Sequence, residues 1–514
     1  MFMTFVITGC VLTVLAYILF APTTRKVPQG TLLPDGPPGI PILGNLLDIP
    51  PVHSWFKFRD WSKQYGPLYR LNIAGRNHVI VSTEEIANDL LRERGTIYSD
   101  REQLPMAAQL LSQNLRPLFL PYGPTWRSVR KLMHNVANST VAAGYEPLQE
   151  EESLRLLRDL TRAPEKYETW FERYSSALIL RLAYSKTVYT GEESFVKRIL
   201  GVVHTVERVA SPGAYLVDTI PALMYLPSFL APFKREGARL HAEEASLFRG
   251  LLEEGIQNSQ NIPPNEDNFC GKWFNNKQLY NISSDHAAYA IGTLFEAGAG
   301  TTAAAMLSFM LAMTLYPAEF AKLQHEVDSV VGPDRLPMFS DVPNLPRIRA
   351  VAKETLRWRP VTAGGLPHQL TKDDTYKMQD GHSVFLAAGT NVHPVQWTIH
   401  REPKRYPDAD SFRPERWLEQ GWPTFREPLT EFPNLQNFSA FGFGRRICPG
   451  LNIAERSLYI LIARIAWGCD VFRKLSAEGE EIIPPSYDYV PGFNVSHSFD
   501  RSFSSPCISD ADLL

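Results

Sequence analysis

The sequence predicts a mainly α-helical protein with small β-sheets, an α+β fold, behind an N-terminal transmembrane helix. Apolar residues recur at helical spacing over long stretches, roughly 122–138, 149–162, 167–187, 235–257 and 284–316. Strand-like alternation is confined to short segments near 68–81, 361–395 and 480–500. A charge-free apolar run over Phe2–Ala21 is long enough to cross a membrane.

The composition excludes several classes of protein. Of the 514 residues, 44% are apolar and 21% are charged, a balance that excludes disorder, collagen-like repeats and long coiled coils. The 52 basic and 55 acidic residues give a net charge of −3, so we expect no nucleic-acid partner. The five cysteines form no CxxC pair, which indicates a reducing compartment without a disulfide framework.

The N-terminal run carries the signals of an uncleaved membrane anchor. Met1–Thr24 has no charged side chain, no basic leading region and no small-x-small cleavage site. Arg25 and Lys26 follow at once, so the positive-inside rule places the rest of the chain on the cytoplasmic side. We therefore expect a transmembrane anchor over 1–24, a stiff Pro/Gly-rich linker over 25–50 and a globular domain over 51–514.

The longest helical pattern, Ser284–Tyr316, has two interpretations. A second transmembrane helix is one, because Ala297–Tyr316 is uncharged. Its Ala, Gly and Thr content, with Glu296 at the edge, favours the other: a buried helix approached closely by something flat, such as a cofactor. Upstream, the polar Asn258–Asn276 segment is predicted to be a surface loop.

The most informative stretch is Phe441–Gly450, which reads FGFGRRICPG. Its two glycines before Cys448 permit tight turns, and Pro449 and Gly450 open a helical pattern, so Cys448 falls at a helix N-terminus. The amides and dipole there favour the thiolate, the form that ligates iron, by lowering the thiol pKa. The alternative is an inert buried cysteine, our interpretation of Cys270, Cys469 and Cys507.

Phe441, Gly444, Arg446, Cys448 and Gly450 reproduce the haem-binding signature of the cytochrome P450 family, which the chain resembles over its full length. The resemblance implies the cytochrome P450 fold, with residues 51–514 as the catalytic domain. It also implies haem b as cofactor, with the Cys448 thiolate as axial ligand of the iron. On the same basis Phe441 belongs to the haem site, and Arg446 pairs with a haem propionate.

Further positions match residues that contact haem in this family. Trp126 and Arg130 lie four apart on one helix face, and they resemble the Trp and Arg that contact the propionates. The alternative for this pair is a core tryptophan and a solvated arginine. His368 stands after a proline, where relatives place a His or Arg on a propionate; its alternative is a structural histidine.

Glu354 and Arg357, three apart on a helix, together with Arg416 resemble the structural triad of the family. Acid and base pairs at this spacing are common by chance, so the position of this pair ahead of Cys448 carries the match. We expect the three side chains to be buried together. Removing one of them would then leave an unpaired charge in the interior.

Ala297–Thr302 resembles the oxygen-activating pattern small-Gly-x-acid-Thr-Thr. Thr301 matches the threonine that helps to deliver protons, and we expect its hydroxyl to bond the carbonyl of Ala297. Gly300 occupies the position of the acid, so one member of the usual proton relay is missing. Our hypothesis is that Glu296, or water, takes its place. The alternative is a surface or salt-bridged glutamate.

The resemblance implies a haem-thiolate monooxygenase in the endoplasmic reticulum membrane, single-pass, with its catalytic domain facing the cytoplasm. NADPH–cytochrome P450 reductase would supply electrons, meeting the basic residues Arg127, Lys131 and Arg445. We expect a small apolar or aromatic metabolite as substrate, specifically a phenolic polyketide of fungal secondary metabolism. The segments expected to contact it are Asp100–Tyr122, Phe295–Thr302, Val361–Gly365 and Phe493–Val495.

Two other functions stay open at this point. Because Gly300 replaces the acid, the chain could be a haem-thiolate isomerase or dehydratase that needs no dioxygen. The other alternative is a non-catalytic haem-binding membrane protein.

Overall fold

The computed structural model describes residues 27–211, 213–260, 267–485, 487 and 489. The predicted anchor, 1–24, and the predicted substrate-contacting turn Phe493–Val495 lie outside the described residues. The described residues are mainly helical with two small sheets, as predicted.

The α-helices of the described residues are α1 (Ser54–Tyr65), α2 (Glu84–Asn88), α3 (Gly95–Tyr98), α4 (Pro124–Ala137), α5 (Ser139–Ala143), α6 (Glu146–Arg162), α7 (Tyr167–Tyr184), α8 (Ser194–Ala210), α9 (Leu216–Thr219), α10 (Pro232–Ser259), α11 (Phe269–Phe274), α12 (Lys277–Tyr280), α13 (Ser284–Leu315), α14 (Pro317–Val330), α15 (Pro346–Trp358), α16 (Gln396–Ile399) and α17 (Leu451–Gly468). The strands are β1 (Leu68–Ile73), β2 (Arg76–Val81), β3 (His368–Gln369), β4 (Asp374–Lys377), β5 (Ser383–Leu386) and β6 (Asn391–Pro394).

The chain divides into two compact units, each built from separate segments. The first unit comprises the residues up to Glu102, Gly364–Ile399 and Gly442–Arg446. The second unit comprises Gln103–Ala363, His400–Phe441 and the residues from Ile447 onward.

The first unit is built on a four-stranded sheet in the order β1-β2-β6-β3. The hairpin predicted near 68–81 is confirmed as β1 and β2. Ala74 and Gly75 join these strands with φ of 49° and 84°, as a two-residue hairpin turn with positive φ at both positions requires. β6 pairs parallel to β2 and antiparallel to β3, and β4 and β5 form a separate two-stranded sheet.

Residues 27–50 lie along these sheets. The N–H of Leu32 donates to the carbonyl of Ser383 at 2.9 Å, and its carbonyl accepts from Phe385 at 2.8 Å. Further along, the carbonyl of Asp35 accepts from the N–H of Arg70 at 2.7 Å. Pro34–Ile40 is therefore extended, as its composition predicts, and strand edges hold it by backbone hydrogen bonds, whereas Leu46–Asp48 forms a short 3-10 helix.

Helix α13 forms the core of the second unit. It packs against α4, α7, α10, α15 and α17. By length and composition it is apolar enough to cross a membrane, yet 78% of its apolar window is buried inside the protein. Its Ala and Gly residues let neighbouring helices approach closely. The structure therefore favours the interpretation of α13 as a buried core helix.

The surface loop predicted over Asn258–Asn276 is wrong for the part that forms α11. Asn268 caps this short helix, because its side-chain oxygen accepts from the N–H of Gly271 at 2.9 Å. Phe269 and Trp273 on the helix are buried. The asparagine was interpreted as a loop signal, whereas here it starts a helix that contributes to the core.

Candidate active site

The loop before Cys448 turns at two glycines, as predicted. Gly442 and Gly444 have φ of 85° and 55°, in the left-handed region that favours glycine. A Cβ on Gly444 would also lie 2.0 Å from the carbonyl oxygen of Leu91. The N–H of Cys448 donates to the carbonyl of Phe441 at 2.8 Å, which closes the loop just ahead of α17.

The Cys448 thiol lies among groups that favour its ionised form. The backbone N–H groups of Gly450 and Leu451 and the guanidinium of Arg130 all act to lower its pKa, yet burial outweighs them and raises it. The predicted lowering of the pKa is therefore wrong, although the expected helix N-terminus is present. Desolvation of the sulfur accounts for the difference.

The other described cysteines differ from Cys448. Cys270 and Cys469 are buried, whereas Cys448 is half-buried. Burial raises the pKa of Cys469 to about 12 and that of Cys270 well above its ordinary range. Both fit the interpretation of inert core residues, whereas Cys448 is less deeply buried and has polar neighbours that favour its anion.

Helix α4 brings Arg130 to the residue beside Cys448. The guanidinium of Arg130 donates to the carbonyl of Ile447 at 2.5 Å. One turn earlier, Trp126 is buried with its ring 5.2 Å from that of Tyr122. Trp126 and Arg130 therefore lie on one helix, as predicted, and this helix contacts the chain at Ile447, the residue before Cys448.

Helix α13 carries Thr301, whose hydroxyl donates to the carbonyl of Ala297 at 2.7 Å, as predicted. Ala297 and Gly300 are exposed in the middle of this otherwise buried helix. A Cβ on Gly300 would meet no atom of the described residues within 4 Å. The flank of α13 at Ala297 and Gly300 is therefore open, and it has room for a ligand.

Glu296 lies next to this open flank and is ion-paired, as the alternative interpretation proposed. Its partner is Arg116, which also pairs with Glu244, and the three side chains are at most 9% exposed. One carboxylate oxygen of Glu296 has no hydrogen-bond partner among the described residues. Burial raises the pKa of Glu296 to about 7; the neighbouring Glu244 carboxylate acts in the same direction, and Arg116 only partly opposes them.

Sequence reasoning missed Arg116 and Glu244. The only signal was Glu296 itself, since an acid within a small, apolar helix needs a partner in the interior. Nothing in the spacing of the residues identifies that partner.

The first unit holds the other predicted haem contacts, His368 and Arg446. His368 is buried, with Nδ1 2.8 Å from the carbonyl oxygen of Tyr98, and Arg446 donates to the carbonyl of Ser99 at 2.8 Å. Burial first, then the nearby guanidinium of Arg101, lowers the pKa of His368 well below its ordinary value. His368 is therefore neutral, and the cluster's positive charge resides on its arginines.

Arg101 is a further member of this cluster that the sequence did not single out. It is buried, and its guanidinium donates to the carbonyls of Leu366, at 3.1 Å, and Pro367. Burial lowers its pKa to about 10, so it remains charged at neutral pH. Two arginines close to one histidine make a site suited to an anion with paired oxygens.

Known proteins give a consistent picture. The family model described as cytochrome P450 matches residues 34–470. The chain belongs to the cytochrome P450 family. It is 34% identical over 483 residues to cytochrome P450 monooxygenase 58 of Postia placenta, covering 93% of this chain and 90% of that protein. It is 36% identical to cytochrome P450 monooxygenase fogE of Aspergillus ruber over 456 residues, covering 88% and 83%.

A solved structure shows the same fold. It is a zebrafish cytochrome P450 with abiraterone, and it has a TM-score of 0.68 and 23% identity, covering 89% of this chain and 99% of that one. The predicted cytochrome P450 fold is confirmed for the described residues. As a member of the family, the chain is an oxygen-incorporating oxidoreductase that acts on a small molecule with a redox partner.

Cytochromes P450 hold haem through a cysteine thiolate on the iron. The residues of this cytochrome P450 fit the group. Cys448 presents a half-buried sulfur with two amides and a guanidinium ready to favour its anion. Gly300 leaves the flank of α13 open. Ligation to a metal deprotonates a thiol outright, so the iron would offset the raised pKa of Cys448.

The predicted triad of this cytochrome P450 is confirmed in the second unit. Glu354 makes two bonds of 2.8 Å to Arg357 and one of 3.2 Å to Arg416, and the side chains of all three are 0% exposed. Trp417 also donates to Glu354, at 3.0 Å. The triad is thus a buried structural cluster.

Proposed function

We propose that Cys448 is the axial ligand of haem b in this monooxygenase. The supporting observation is the thiol itself, half-buried and beside the N–H groups of Gly450 and Leu451, behind a loop that turns at two glycines. When bound, the haem supplies the activation of dioxygen and the insertion of one oxygen atom into substrate. The protein supplies binding, orientation and protons.

The charged residues divide this work. Arg446 and Arg130 would bind the haem propionates, because guanidinium groups suit carboxylates. The ring N–H of Trp126 would donate a hydrogen bond to a propionate. His368 would donate one as well, because a nearby carboxylate raises the pKa of a histidine and so favours its protonated form. Phe441, half-buried at the edge of the core, would pack beside the haem.

Two residues of α13 would hold and transfer protons. The Thr301 hydroxyl donates to Ala297 and keeps its lone pairs free to accept from a water molecule. Glu296 would hold a proton near neutral pH, where an acid is most useful to catalysis.

The substrate we propose is a small apolar or aromatic metabolite, specifically a phenolic polyketide of fungal secondary metabolism. The relatives in Postia placenta and Aspergillus ruber are named as monooxygenases, which supports an oxygenation, while the phenolic polyketide rests on the resemblance of the sequence to fungal natural-product pathway members. Deleting the gene in its host and comparing metabolites should reveal an accumulated precursor that lacks one oxygen atom. A precursor that differs only by isomerisation or loss of water would favour the isomerase or dehydratase function instead.

We also propose that residues 1–24 anchor the protein in the endoplasmic reticulum membrane and that NADPH–cytochrome P450 reductase donates its electrons. Arg127 and Lys131 are exposed on α4, as is Arg445 in the first unit, and exposed basic side chains attract an acidic partner. Raising the salt concentration should slow reduction by the reductase, since exposed charges are screened. A chain that lacks residues 1–24 should leave the membrane fraction.

A carbon monoxide difference spectrum of the reduced protein tests the proposed ligand. The wild type should give the absorption band of thiolate-ligated haem, and Cys448→Ala should lose it. Cys469→Ala is the matched control, a buried cysteine on the same unit, and should keep it. Retention of the band by Cys448→Ala would contradict the proposed function.

A further inference from the structure

The second unit buries a cluster of Arg116, Glu244 and Glu296. It holds two carboxylates and one guanidinium, so it has one negative charge in excess when both acids are ionised. In a protein interior such an excess is removed most cheaply by binding a proton. The cluster therefore needs one proton that an ordinary ion pair does not.

Both carboxylates bond Arg116 through one oxygen, on different nitrogens of the guanidinium. The second oxygen of each acid is buried and has no hydrogen-bond partner among the described residues, so hydrogen bonding does not distinguish the two acids. Their positions do: Glu296 lies on α13 beside the open flank and is 9% exposed, whereas Glu244 lies on α10 and is 2% exposed. Glu244 also lies beside Tyr289, where its charge adds to burial in raising the pKa of the tyrosine hydroxyl.

The surroundings of Glu296 contain few other charges. The ring faces of Phe248 and Tyr289 lie 5.8 Å and 5.9 Å from the Arg116 guanidinium, so aromatic rings as well as acids stabilise the cation. The titratable and charged groups that face Glu296 come from the segment after Leu111, from α10, from α13 and from α7: Arg116, Glu244, His241, Tyr289 and Tyr184.

The cluster is adjacent to the open flank of α13. Ala297, the residue after Glu296, is exposed and accepts the hydroxyl of Thr301. Gly300 lies one turn further on the same face as Glu296 and is also exposed. A proton released at Glu296 therefore enters the part of the helix where the family pattern would place its acid.

We propose that Arg116, Glu244 and Glu296 form a proton reservoir that replaces the acid missing at Gly300. In each delivery the O–H bond of Glu296 breaks and the proton passes to water at the Thr301 hydroxyl. Arg116 holds the resulting carboxylate, and a proton from bulk water restores the acid. Glu296 is the donor, while Arg116 and Glu244 are positioning residues that act through it. The inference rests on the proposed monooxygenase function.

Infrared pH titration of the purified holoenzyme tests the reservoir directly. The carbonyl stretch of a protonated carboxyl, identified by its absence in Glu296→Gln, should titrate with a midpoint near 7 in the wild type. Glu244→Gln removes the second negative charge, so Glu296 becomes a simple ion pair and its proton affinity should fall at least tenfold. A band absent from the wild type, or a midpoint that Glu244→Gln leaves unchanged, would overturn the proposal.

The matched control is Glu243→Gln on the same helix. Glu243 neighbours Glu244 in sequence but is exposed and paired with Arg239 on the surface. The same change of charge at this position should leave the midpoint unchanged, because water screens it. An equal shift in both variants would show that net charge, rather than the cluster, sets the titration.

Complementation of the deletion strain tests whether the reservoir serves the reaction. A deletion strain that expresses Glu296→Gln should form at least tenfold less of the oxygenated product than one that expresses the wild type. Glu296→Gln combined with Gly300→Asp should recover most of it, since a Cβ at Gly300 has free space and the new acid occupies the family position. Full product from Glu296→Gln alone, or no recovery by the double variant, would contradict a proton role.

The two proposals fail differently. Loss of the carbon monoxide band in the wild type would refute the proposed ligand and leave the infrared titration valid. If the band is present in every variant, haem binding and folding are intact. A failed titration would then overturn the reservoir alone.

Discussion

Two of the buried ion clusters in the second unit carry opposite excess charge. Glu354 lies between two guanidinium groups, those of Arg357 and Arg416, so positive charge is in excess. The surplus N–H groups of Arg357 donate to the backbone carbonyls of His400 and Ala409, at 3.0 Å and 2.8 Å. This cluster uses its polar atoms to fix backbone segments in place.

Arg116 lies instead between two carboxylates, and negative charge is in excess. An arginine does not lose its proton, so an excess of arginine has to be satisfied by carbonyls, whereas an excess of carboxylate can be satisfied by a proton. Similar burial therefore gives the two clusters different chemical capabilities. The Glu354 cluster is suited to stability, and the Glu296 cluster to proton exchange.

The largest effect should follow removal of the acid from the first cluster. Glu354→Gln leaves two buried arginines without a counter-charge, and we expect a loss of about 3–5 kcal/mol in the free energy of unfolding. Urea denaturation of the purified protein measures it. Glu419→Gln, an exposed acid on a nearby turn, should change stability by less than about 0.5 kcal/mol. Equal urea midpoints for Glu354→Gln and Glu419→Gln would show that the Glu354 cluster does not stabilise the fold.

The Glu296 cluster should make the free energy of unfolding depend on pH. Burial raises the pKa of Glu296 from 4.5 to about 7, so between these values the folded state binds a proton that the unfolded state has lost. The contribution of Glu296 to the free energy of unfolding is on the order of 3 kcal/mol. It is therefore fully present below pH 4.5 and is lost as the pH rises through 7.

Glu296→Gln should abolish that slope, because the amide is neutral at every pH. The measurement is the difference in unfolding free energy between wild type and variant from pH 4.5 to 8. Parallel curves for the two proteins would mean that Glu296 has no raised pKa, and Glu243→Gln should run parallel to the wild type.

The smallest effect concerns the open flank of α13 beside the second cluster. A Cβ at Gly292 would lie 2.7 Å from the Phe248 ring, whereas one at Gly300 would meet nothing described within 4 Å. We expect Gly292→Ala to destabilise by about 1–3 kcal/mol. Gly300→Ala should stabilise by about 0.5–1 kcal/mol, the ordinary gain of alanine over glycine in a helix. A lower melting temperature for Gly300→Ala would show that the flank is closed.

Local patterns carried much of the prediction. The hairpin, the long helices, the loop at Cys448 and the Thr301 hydrogen bond depend on residues within about ten positions of one another, and spacing encodes such contacts. The triad of Glu354 was found from its position relative to Cys448. In contrast, the net direction of the Cys448 pKa depends on burial, which a motif does not contain.

The contacts that were missed join distant parts of the chain. Arg116 and Glu296 are 180 residues apart, and Arg101 reaches Pro367 across 266. Periodicity indicates that a residue is buried but not what lies against it. The short helix α11 was missed for a related reason: asparagine is favoured both in turns and at helix starts, and only packing decides between them.

The parallel pairing of β2 with β6 affects how the chain folds during its synthesis. His78 and His393, on these two strands, lie within 2.8 Å although 315 residues separate them. At a synthesis rate of about 5–20 residues per second, the β1–β2 hairpin is synthesised about 15–60 s before its partner strand β6. During that interval an unpaired strand edge is exposed to other nascent chains, so expression at low temperature or with a chaperone that shields strand edges should raise the yield of soluble enzyme.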